Sequence, residues 1–300
     1  MVGHVAQQVH RGSIGTVQVL HNVQEQHLLL FRRVKLMPDS EAMQTPRALY
    51  HLATSDRVDT AVYPNDVTKE VFMAQPGSPL QPGEPAPAFA LPGANVEGTF
   101  SLDSLRGRAF LIAFFRGLHC PFCRRQLVQL AALQPALRDA GVQTLAVINT
   151  PVERARLYFK YRPTPVMLLC DAHCSTHRAF GVPNIEFLAD GSSERPDWPY
   201  RASMAQFQAA RINPTGELPE PWQPMAANPV LNAKDGFELD DTDKAIFEKH
   251  GTQLVGHFLV DASGIVRWAQ IEAPDGPNSL CTFPTAAQIV AAAGAMDAEI

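Results

Sequence analysis

The sequence predicts an α/β fold organised around a sheet with parallel strands. Between residues 109 and 171, short apolar runs of strand length alternate with longer segments of helical periodicity. The apolar runs are continuous, which is typical of strands that are covered on both faces. Strand–helix–strand alternation implies parallel pairing through crossover helices. The three predicted strands are "AFLIAFF" (109–115), "VQTLAVINT" (142–150) and "PVMLLCD" (165–171).

The segments between and after these strands carry helix signals. After "CPFC", leucines recur at spacings of three and four, which predicts one apolar helix face that ends at Gly141. These leucines are Leu127, Leu130, Leu133 and Leu137. The segment "PVERARLYFKY" predicts a second helix with Pro151 in its first turn. The segment "AHCSTHRAFGV" predicts a short helix that closes at Gly181.

Elements before and after this region complete the predicted fold. The segment "PAFALPG" predicts a short edge strand, and "EGTFSLDSLRGR" predicts a strand followed by one helical turn. The segment "LVGHFLVDASGIVRWAQIE" predicts a hairpin, because turn-forming residues at 261–264 separate two apolar strands. The segment "PTAAQIVAAAGAM" predicts a final helix.

The chain divides into an N-terminal extension and one larger domain. A Pro/Gly-rich linker at 75–87 separates residues 1–75, whose fold the sequence does not define, from the domain at 76–300. Within that domain, residues at about 183–250 break the strand–helix alternation and predict a long insertion. Two stretches of the insertion have a helical pattern, "RASMAQFQAARI" and "DTDKAIFEKHG".

The composition argues against several classes of function. The 300-residue chain has a formal net charge of −5 and no long basic block, which argues against binding nucleic acid or an anionic membrane. No apolar run approaches the roughly 20 residues of a membrane span. The odd number of cysteines, five, argues against a secreted disulfide framework, and the N-terminus has no signal-peptide pattern. We therefore expect a cytoplasmic protein.

Two cysteines three residues apart, Cys120 and Cys123, stand between a predicted buried strand and a predicted helix. This position puts Cys120 at the helix N-terminus, where unpaired N–H groups and the helix dipole stabilise a thiolate. Pro121 suits the first helical position. Nearby positive charge is expected from Arg116, Arg124 and Arg125. Because each factor lowers a thiol pKa, we interpret the pair as redox-active. The adjacent His119 either supports the thiolate electrostatically or faces solvent without a role.

Other interpretations of the cysteines stay open. Together with Cys170 and Cys174, the pair could supply four thiolates to zinc, and His119 and His173 are spare ligands. The same two cysteines could instead act as third redox partners. Free cysteines are also good small core residues, which is our preferred interpretation of Cys281 and of Cys170.

Four segments resemble, in order, parts of the peroxiredoxin-type proteins of the alkyl hydroperoxide reductase/thiol-specific antioxidant (AhpC/TSA, redoxin) family. They are "GEPAPAFAL", "FSLDSLRGRAFLIAFFRGLHCPFC", "PTPVMLLCDAHCSTHRAFGV" and "GHFLVDASGIVRWAQIE", within about 82–182 and 252–293. The nearest resemblance is to the branch with a G-x-x-C-P-x-C motif. It implies a thioredoxin-like fold, with a central mixed β-sheet flanked by helices, to which this chain adds the extension and the insertion.

The resemblance also implies roles for the residues around the pair. Cys120 takes the position of the cysteine that attacks the peroxide O–O bond and becomes a sulfenic acid. Cys123 would then condense with it to a disulfide, which thioredoxin or glutathione would reduce. Gly117 stands where typical members carry a peroxide-binding Thr, and Val255 stands where they carry an Arg. Arg116 or Arg124 could substitute for those groups.

We therefore predict a thiol-dependent peroxidase that reduces hydrogen peroxide or organic hydroperoxides, with no cofactor and no metal. The alternatives are a thiol–disulfide oxidoreductase on the same fold and a non-enzymatic redox-sensing or partner-binding protein. The insertion could cover the site or form a homodimer interface. The residues expected to support Cys120 and Cys123 are Arg116, Gly117, His119, Pro121 and Arg124.

Overall fold

The computed structural model describes residues 78–189 and 200–297, so the assignment of residues 1–75 lies outside the described residues and stays a prediction. The strands are β1 (Ala90–Pro92), β2 (Thr99–Ser101), β3 (Ala109–Phe115), β4 (Val142–Ile148), β5 (Met167–Cys170), β6 (Glu186–Leu188), β7 (Arg201–Ser203), β8 (Gly256–Val260) and β9 (Val266–Ile271). The helices are α1 (Pro121–Asp139), α2 (Val152–Tyr161), α3 (Ser175–Ala179), α4 (Met204–Ala209), α5 (Pro224–Lys234), α6 (Asp241–His250) and α7 (Ala286–Asp297). Short 3₁₀ turns lie at Leu102–Leu105 and Pro277–Ser279. None of the helices in these described ranges is both long enough and apolar enough to span a membrane.

Five strands form a central mixed sheet in the order β5-β4-β3-β8-β9. Strands β3, β4 and β5 are parallel, which confirms the topology predicted from the strand–helix alternation. Strands β8 and β9 form the predicted hairpin, and β8 pairs antiparallel with β3. Helices α1 and α2 contact β4 and β5, respectively. The predicted α/β class, with a central mixed sheet flanked by helices, is confirmed.

The continuous apolar run of β3 is explained by burial on both faces. All of its residues after Ala109 are buried. The ring of Phe114 lies 4.7 Å from that of Phe180, whereas the next residue, Phe115, lies edge-on to His257 with ring centroids 5.5 Å apart. Each such ring contributes about 1.5–3 kcal/mol through burial. This packing fixes the C-terminal end of β3, from which the candidate site is built.

Helix α1 buries the predicted leucine face. Leu130 and Leu137 are fully buried, while Val128 on the other side of the helix is 70% exposed. The helix contacts β4 and α7 with this apolar side. It ends just before Gly141, whose φ of +67° lies in the left-handed region that glycine adopts at low cost. The helix is therefore anchored along its length, which holds its first turn in place.

The predicted insertion at about 183–250 is described except for residues 190–199. It contains β6 and β7, which pair in parallel, and helices α4, α5 and α6. Phe207, Leu231 and Phe237 of this segment belong to the same buried core as the central sheet. Helix α5 contacts α1. The segment therefore lies against the helix that begins at the cysteine pair.

Candidate active site

The cysteine pair lies where β3 ends and α1 begins. The connecting turn is closed by a hydrogen bond from the Cys120 N–H to the Gly117 carbonyl (3.0 Å). Cys120 is the N-cap residue of α1, and Pro121 occupies the first turn of the helix. The Cys120 sulfur accepts a hydrogen bond from the Cys123 N–H (3.2 Å). The sulfur therefore takes the place of the side-chain oxygen that caps many helices.

The two thiols face each other. Cys123 Sγ donates a hydrogen bond to Cys120 Sγ, and the sulfurs lie 2.6 Å apart. Both residues are buried, with 2% of Cys120 and 4% of Cys123 exposed. A disulfide bond is about 2.05 Å long, so joining these sulfurs needs only a small side-chain movement.

Arg116, which follows β3 directly, brings a positive charge to the pair. Its Nη1 lies 3.7 Å from the Cys120 sulfur and 3.9 Å from the Cys123 sulfur. Its Nε donates to the Gln253 carbonyl (2.8 Å), and its Nη2 lies 2.7 Å from both carboxylate oxygens of Glu272. The guanidinium is therefore fixed by oxygen acceptors and turns its remaining nitrogen to the sulfurs.

Glu272, next to the end of β9, is the site residue that the sequence did not reveal. Its side chain is completely buried. Besides Arg116, it accepts hydrogen bonds from the N–H groups of Val255 (2.9 Å) and Cys281 (2.5 Å). A buried carboxylate requires partners of this kind, and together they fix the position of Arg116. An acidic residue after an apolar strand is equally typical of a surface turn, so the sequence offered no usable signal.

The electrostatics of the site shift the pKa values of the two thiols in opposite directions. Burial raises the pKa of Cys120, but the hydrogen bond from Cys123 and the charge of Arg116 outweigh it and lower this pKa to about 6. Burial and the hydrogen bond to Cys120 raise the pKa of Cys123 well above its usual value. Although burial opposes its charge, Glu272 and the thiols hold the pKa of Arg116 well above its usual value. At neutral pH the site therefore holds a thiolate, a thiol and a guanidinium.

Gly117 occupies a position that leaves little room for a side chain. A Cβ atom there would lie 2.8 Å from Asn149 Oδ1 and 3.0 Å from His119 Nδ1. A Thr at this position would displace these neighbours. The nearby Thr150 hydroxyl, which lies shortly after the end of β4, accepts the Leu118 N–H at 3.1 Å. Thr150 thus holds the turn from the neighbouring strand, a role that the sequence did not reveal.

Both expectations for His119 are wrong. The residue is only 2% exposed, so it does not face solvent. Burial, together with the charges of Arg116 and Arg124, lowers the pKa of His119 to about 3. The imidazole is therefore neutral near pH 7 and brings no positive charge to the thiolate. It lies edge-on to Phe247 with ring centroids 5.2 Å apart, and neither of its nitrogens has a hydrogen-bond partner among the described residues.

Arg124 and Arg125 are engaged by the insertion, which corrects the expectation that they serve the thiols. Arg124 donates to the Leu118 carbonyl (2.5 Å) and pairs with Asp235 (2.5 Å). Arg125 pairs with the same Asp235 (2.8 Å) and with Glu217. Asp235 caps the C-terminus of α5. These two arginines therefore fasten the first turns of α1 to the insertion, and Arg116 is the arginine that contacts the sulfurs.

The other three cysteines fall into two environments. Cys281, which we interpreted as a core residue, is buried but also belongs to the candidate site, since its sulfur lies 4.0 Å from Arg116 Nη1. Cys170 ends β5, and Cys174 precedes α3. Burial raises the pKa of Cys170 to about 12 and that of Cys174 to about 11. These two thiols are therefore protonated at neutral pH, and the structural interpretation fits Cys170.

The zinc interpretation lacks a ligand set. Within residues 78–189 and 200–297, no three or more side chains of His, Cys, Asp or Glu are grouped so that they could hold a metal ion. Next to Cys174, Asp171 and His177 bind each other instead, with 2.9 Å between Oδ2 and Nδ1. The other His177 nitrogen lies 3.0 Å from the Phe115 carbonyl oxygen.

In a comparison with known protein families, residues 82–212 match the model of the AhpC/TSA family. No curated protein matches the sequence at a significant level. The reduced 2-Cys peroxiredoxin of Plasmodium vivax is similar with a TM-score of 0.45 and 15% identity, covering 74% of this chain and 84% of that chain. Peroxidoxin BcpB of Mycobacterium tuberculosis is similar with a TM-score of 0.42 and 13% identity, and the match covers 73% of this chain and 97% of that chain. A protein assigned as the thiol:disulfide interchange protein DsbE of Chlorobium tepidum is similar with a TM-score of 0.40 and 18% identity. The match covers 72% of this chain and 99% of that chain.

Proposed function

We propose, from the premise that residues 82–212 form a domain of the AhpC/TSA family of thiol-dependent oxidoreductases, that this protein reduces hydrogen peroxide or organic hydroperoxides. The observation that carries the proposal is the asymmetry of the pair. The pKa of Cys120 is lowered to about 6, while that of Cys123 is raised. A thiolate is the nucleophile that cleaves a peroxide, and a neighbouring thiol can resolve the product.

The proposed reaction begins when the Cys120 thiolate attacks one peroxide oxygen. The O–O bond breaks, Cys120 becomes a sulfenic acid, and the departing hydroxide or alkoxide takes up a proton. Arg116 would stabilise the negative charge as it moves from the sulfur to the leaving oxygen. The Cys123 thiol then condenses with the sulfenic acid, so that an S–S bond forms and water leaves. Thioredoxin or glutathione would return the disulfide to two thiols by exchange.

The burial of the pair favours a peroxide over a protein disulfide as substrate. Only 2% of Cys120 and 4% of Cys123 are exposed. A peroxide needs a narrow opening, whereas a protein disulfide must bring its own sulfur into line with the attacking thiolate. A thiol–disulfide oxidoreductase is nevertheless the second candidate, because a Cys-x-x-Cys pair at a helix N-terminus is also typical of that activity.

The direct test measures consumption of hydrogen peroxide and cumene hydroperoxide, with thioredoxin or glutathione as reductant. The variants are Cys120→Ser, Cys123→Ser and, as a matched control at the other buried strand end, Cys170→Ser. We expect Cys170→Ser to keep the wild-type rate and Cys120→Ser to fall to background. Cys123→Ser should consume a single equivalent of peroxide and then stop, because its sulfenic acid has lost its adjacent partner.

Peroxide consumption near background by the wild type would refute the peroxidase. Reduction of insulin disulfides by the same preparation would then select the second candidate. Failure in both assays would leave the redox-sensing or partner-binding protein. The cytoplasmic location and the homodimer stay predictions, which fractionation of cells and light scattering would check.

A further inference from the structure

Cys281 gives the candidate site a third thiol that the proposed peroxidase cycle does not use. We propose that Cys281 is a second resolving cysteine, which attacks Cys123 in the Cys120–Cys123 disulfide and so sets Cys120 free. The proposal rests on the proposed function for the source of the oxidation. The exchange itself requires only that the first disulfide exists, so it can be tested without a peroxide.

A single guanidinium nitrogen brings the three sulfurs together. Arg116 Nη1 lies 3.7 Å from the sulfur of Cys120, 3.9 Å from that of Cys123 and 4.0 Å from that of Cys281. Because both lie near the same nitrogen, the sulfurs of Cys123 and Cys281 are less than about 8 Å apart. A bond of about 2.05 Å between them therefore requires both side chains to turn about χ1, a rotation that moves a cysteine sulfur between staggered positions.

The backbone of Cys281 adopts a conformation that a non-glycine residue avoids. Its φ is +61°, in the left-handed region, which costs about 1–2 kcal/mol for a residue with a Cβ. A hydrogen bond from its N–H to Glu272 (2.5 Å) holds it there, and Glu272 also holds Arg116. Strained residues that the surrounding contacts enforce are typical of functional sites. The same carboxylate thus positions both the third thiol and the charge that the thiols share.

The charges of the site set the direction of the exchange. Disulfide exchange preferentially expels the less basic sulfur. Cys120, with a pKa lowered to about 6, is a better leaving group than Cys123, whose pKa is raised. Burial raises the pKa of Cys281 as well, whereas Arg116 acts in the opposite direction. An attack by Cys281 therefore falls on the Cys123 sulfur, and Cys120 leaves.

The exchange conserves thiols and electrons. Cys281 gives its proton to water, its sulfur bonds to Cys123, and the bond between Cys123 and Cys120 breaks. Cys120 departs as a thiolate, so one thiol is consumed for each one released. The disulfide is then held between Cys123 and Cys281, while Cys120 is reduced and able to react with another peroxide before any external reductant arrives.

The experiment oxidises the reduced, full-length protein with diamide, a reagent that converts dithiols to disulfides without a peroxide. The sample is quenched in acid, its free thiols are alkylated, and it is digested with trypsin without reduction. Cleavage after Arg and Lys places Cys120 and Cys123 together in peptide 117–124 and Cys281 in peptide 268–300. A Cys120–Cys123 disulfide therefore stays within one peptide, whereas the proposed disulfide links two. Tandem mass spectrometry identifies which cysteine of peptide 117–124 carries the alkyl group.

We expect the linked peptides in the wild type, with Cys120 alkylated, and also in Cys120→Ser, where Cys123 is the remaining partner. They should persist in the control Cys170→Ser and disappear in Cys281→Ser. The same linkage after one equivalent of hydrogen peroxide would tie the exchange to the proposed peroxidase. Linkage with diamide but none with peroxide would instead refute the peroxidase and leave the exchange standing.

Two results would overturn the proposal. The first is an oxidised wild type that contains only the disulfide within peptide 117–124, with Cys281 fully alkylated. The second is a Cys120→Ser variant that is folded by circular dichroism but forms no link between Cys123 and Cys281. The Cys281→Ser and Cys170→Ser variants guard against misfolding, since both remove one buried sulfur of the same size.

Discussion

Two parallel strands of the central sheet end in a cysteine-bearing helix start, and only one of these ends produces a thiolate. At the end of β3, the pKa of Cys120 is lowered to about 6. At the end of β5, the pKa of Cys170 is raised to about 12 and that of Cys174 to about 11. All three residues are buried. Burial and a place at a strand end therefore do not decide whether a thiol is reactive.

The helix N-terminus serves different groups at the two ends. At α1, the free N–H of Cys123 points to the Cys120 sulfur (3.2 Å). At α3, the carboxylate of Asp171 accepts the N–H groups of Ser175 (3.0 Å) and Thr176 (2.8 Å). Cys174 is the N-cap residue there, but its φ of +53° places it in the left-handed region and its sulfur makes no capping bond. The Asp171 carboxylate therefore accepts the N–H groups at the start of α3, as the Cys120 thiolate does at the start of α1.

Buried charge is the second difference. Arg116 contacts the sulfurs of the first pair, and Glu272 fixes it. At the second end, burial is the main cause of the raised pKa of Cys174, and the negative charge of Asp171, which has the wrong sign to stabilise a thiolate, raises it further. The lowered pKa of Cys120 therefore rests on the hydrogen bond from the Cys123 thiol, the charge of the fixed cation Arg116 and the hydrogen bond from the free helix N–H of Cys123.

The largest effect is expected when Arg116 is removed together with its partner, in the double variant Arg116→Met/Glu272→Gln. The loss of the guanidinium removes one of the groups that oppose the effect of burial, so the pKa of Cys120 rises. Alkylation of Cys120 by iodoacetamide at pH 7 should slow in proportion to the thiolate fraction, by about tenfold for a rise of this pKa from about 6 to about 8. Arg116→Met alone would leave a buried, unpaired carboxylate that costs about 3–5 kcal/mol, so the double variant is the cleaner test. An unchanged pKa of Cys120 in the folded double variant would break the comparison.

The opposite change at the second site is Asp171→Asn, which removes the competing carboxylate. The cap of α3 weakens, so we expect the free energy of unfolding to fall by about 1–3 kcal/mol in urea denaturation. The pKa of Cys174 should move downward but stay above neutrality, because burial is its main cause. The pKa of Cys120 should not change. Rapid alkylation of Cys174 at pH 7 would show that the anion alone had suppressed a reactive thiol.

Gly117→Ala tests how tightly the turn before Cys120 is packed. The new methyl group would lie 2.8 Å from Asn149 Oδ1, and such overpacking destabilises by about 1–3 kcal/mol. Gly294→Ala, in helix α7, is the control, because the added Cβ meets nothing within 4 Å. The control should gain up to about 1 kcal/mol of stability from the higher helix propensity of alanine. Equal thermal stability of Gly117→Ala and the wild type would show that the turn can relax.

The smallest effect is expected from His119→Leu. The imidazole is neutral near pH 7, since burial lowers its pKa to about 3, so its loss removes no charge from the site. The pKa of Cys120 should stay within a few tenths of a unit of the wild-type value. A rise of a full unit or more, measured by the pH dependence of alkylation, would mean that His119 contributes to the thiolate after all.

The sequence was sufficient to predict the strands, the hairpin and the position of Cys120 at a helix start, because these depend on local periodicity. It could not show which of Arg116 and Arg124 contacts the sulfurs, because the orientation of each side chain depends on a partner far along the chain. Arg116 turns to Glu272, and Arg124 turns to Asp235 of the insertion. The place of Cys281 is likewise set by a long-range contact, its N–H bond to Glu272. Such tertiary partners leave no periodic signal in the sequence.

The pH titration of the Cys120 thiolate tests most directly whether a fixed cation and a free helix N–H lower the pKa of this thiol. It is followed by ultraviolet absorbance as the difference between the wild type and Cys120→Ser. The midpoint should lie near pH 6, and Cys170 should not titrate below pH 10. The unfolded thiol binds its proton up to about pH 8.5, so the free energy of unfolding should also rise from about pH 6 to pH 8.5 and fall as the pH drops through 6. A midpoint at or above about 8.5, the value of a free thiol, would contradict the account.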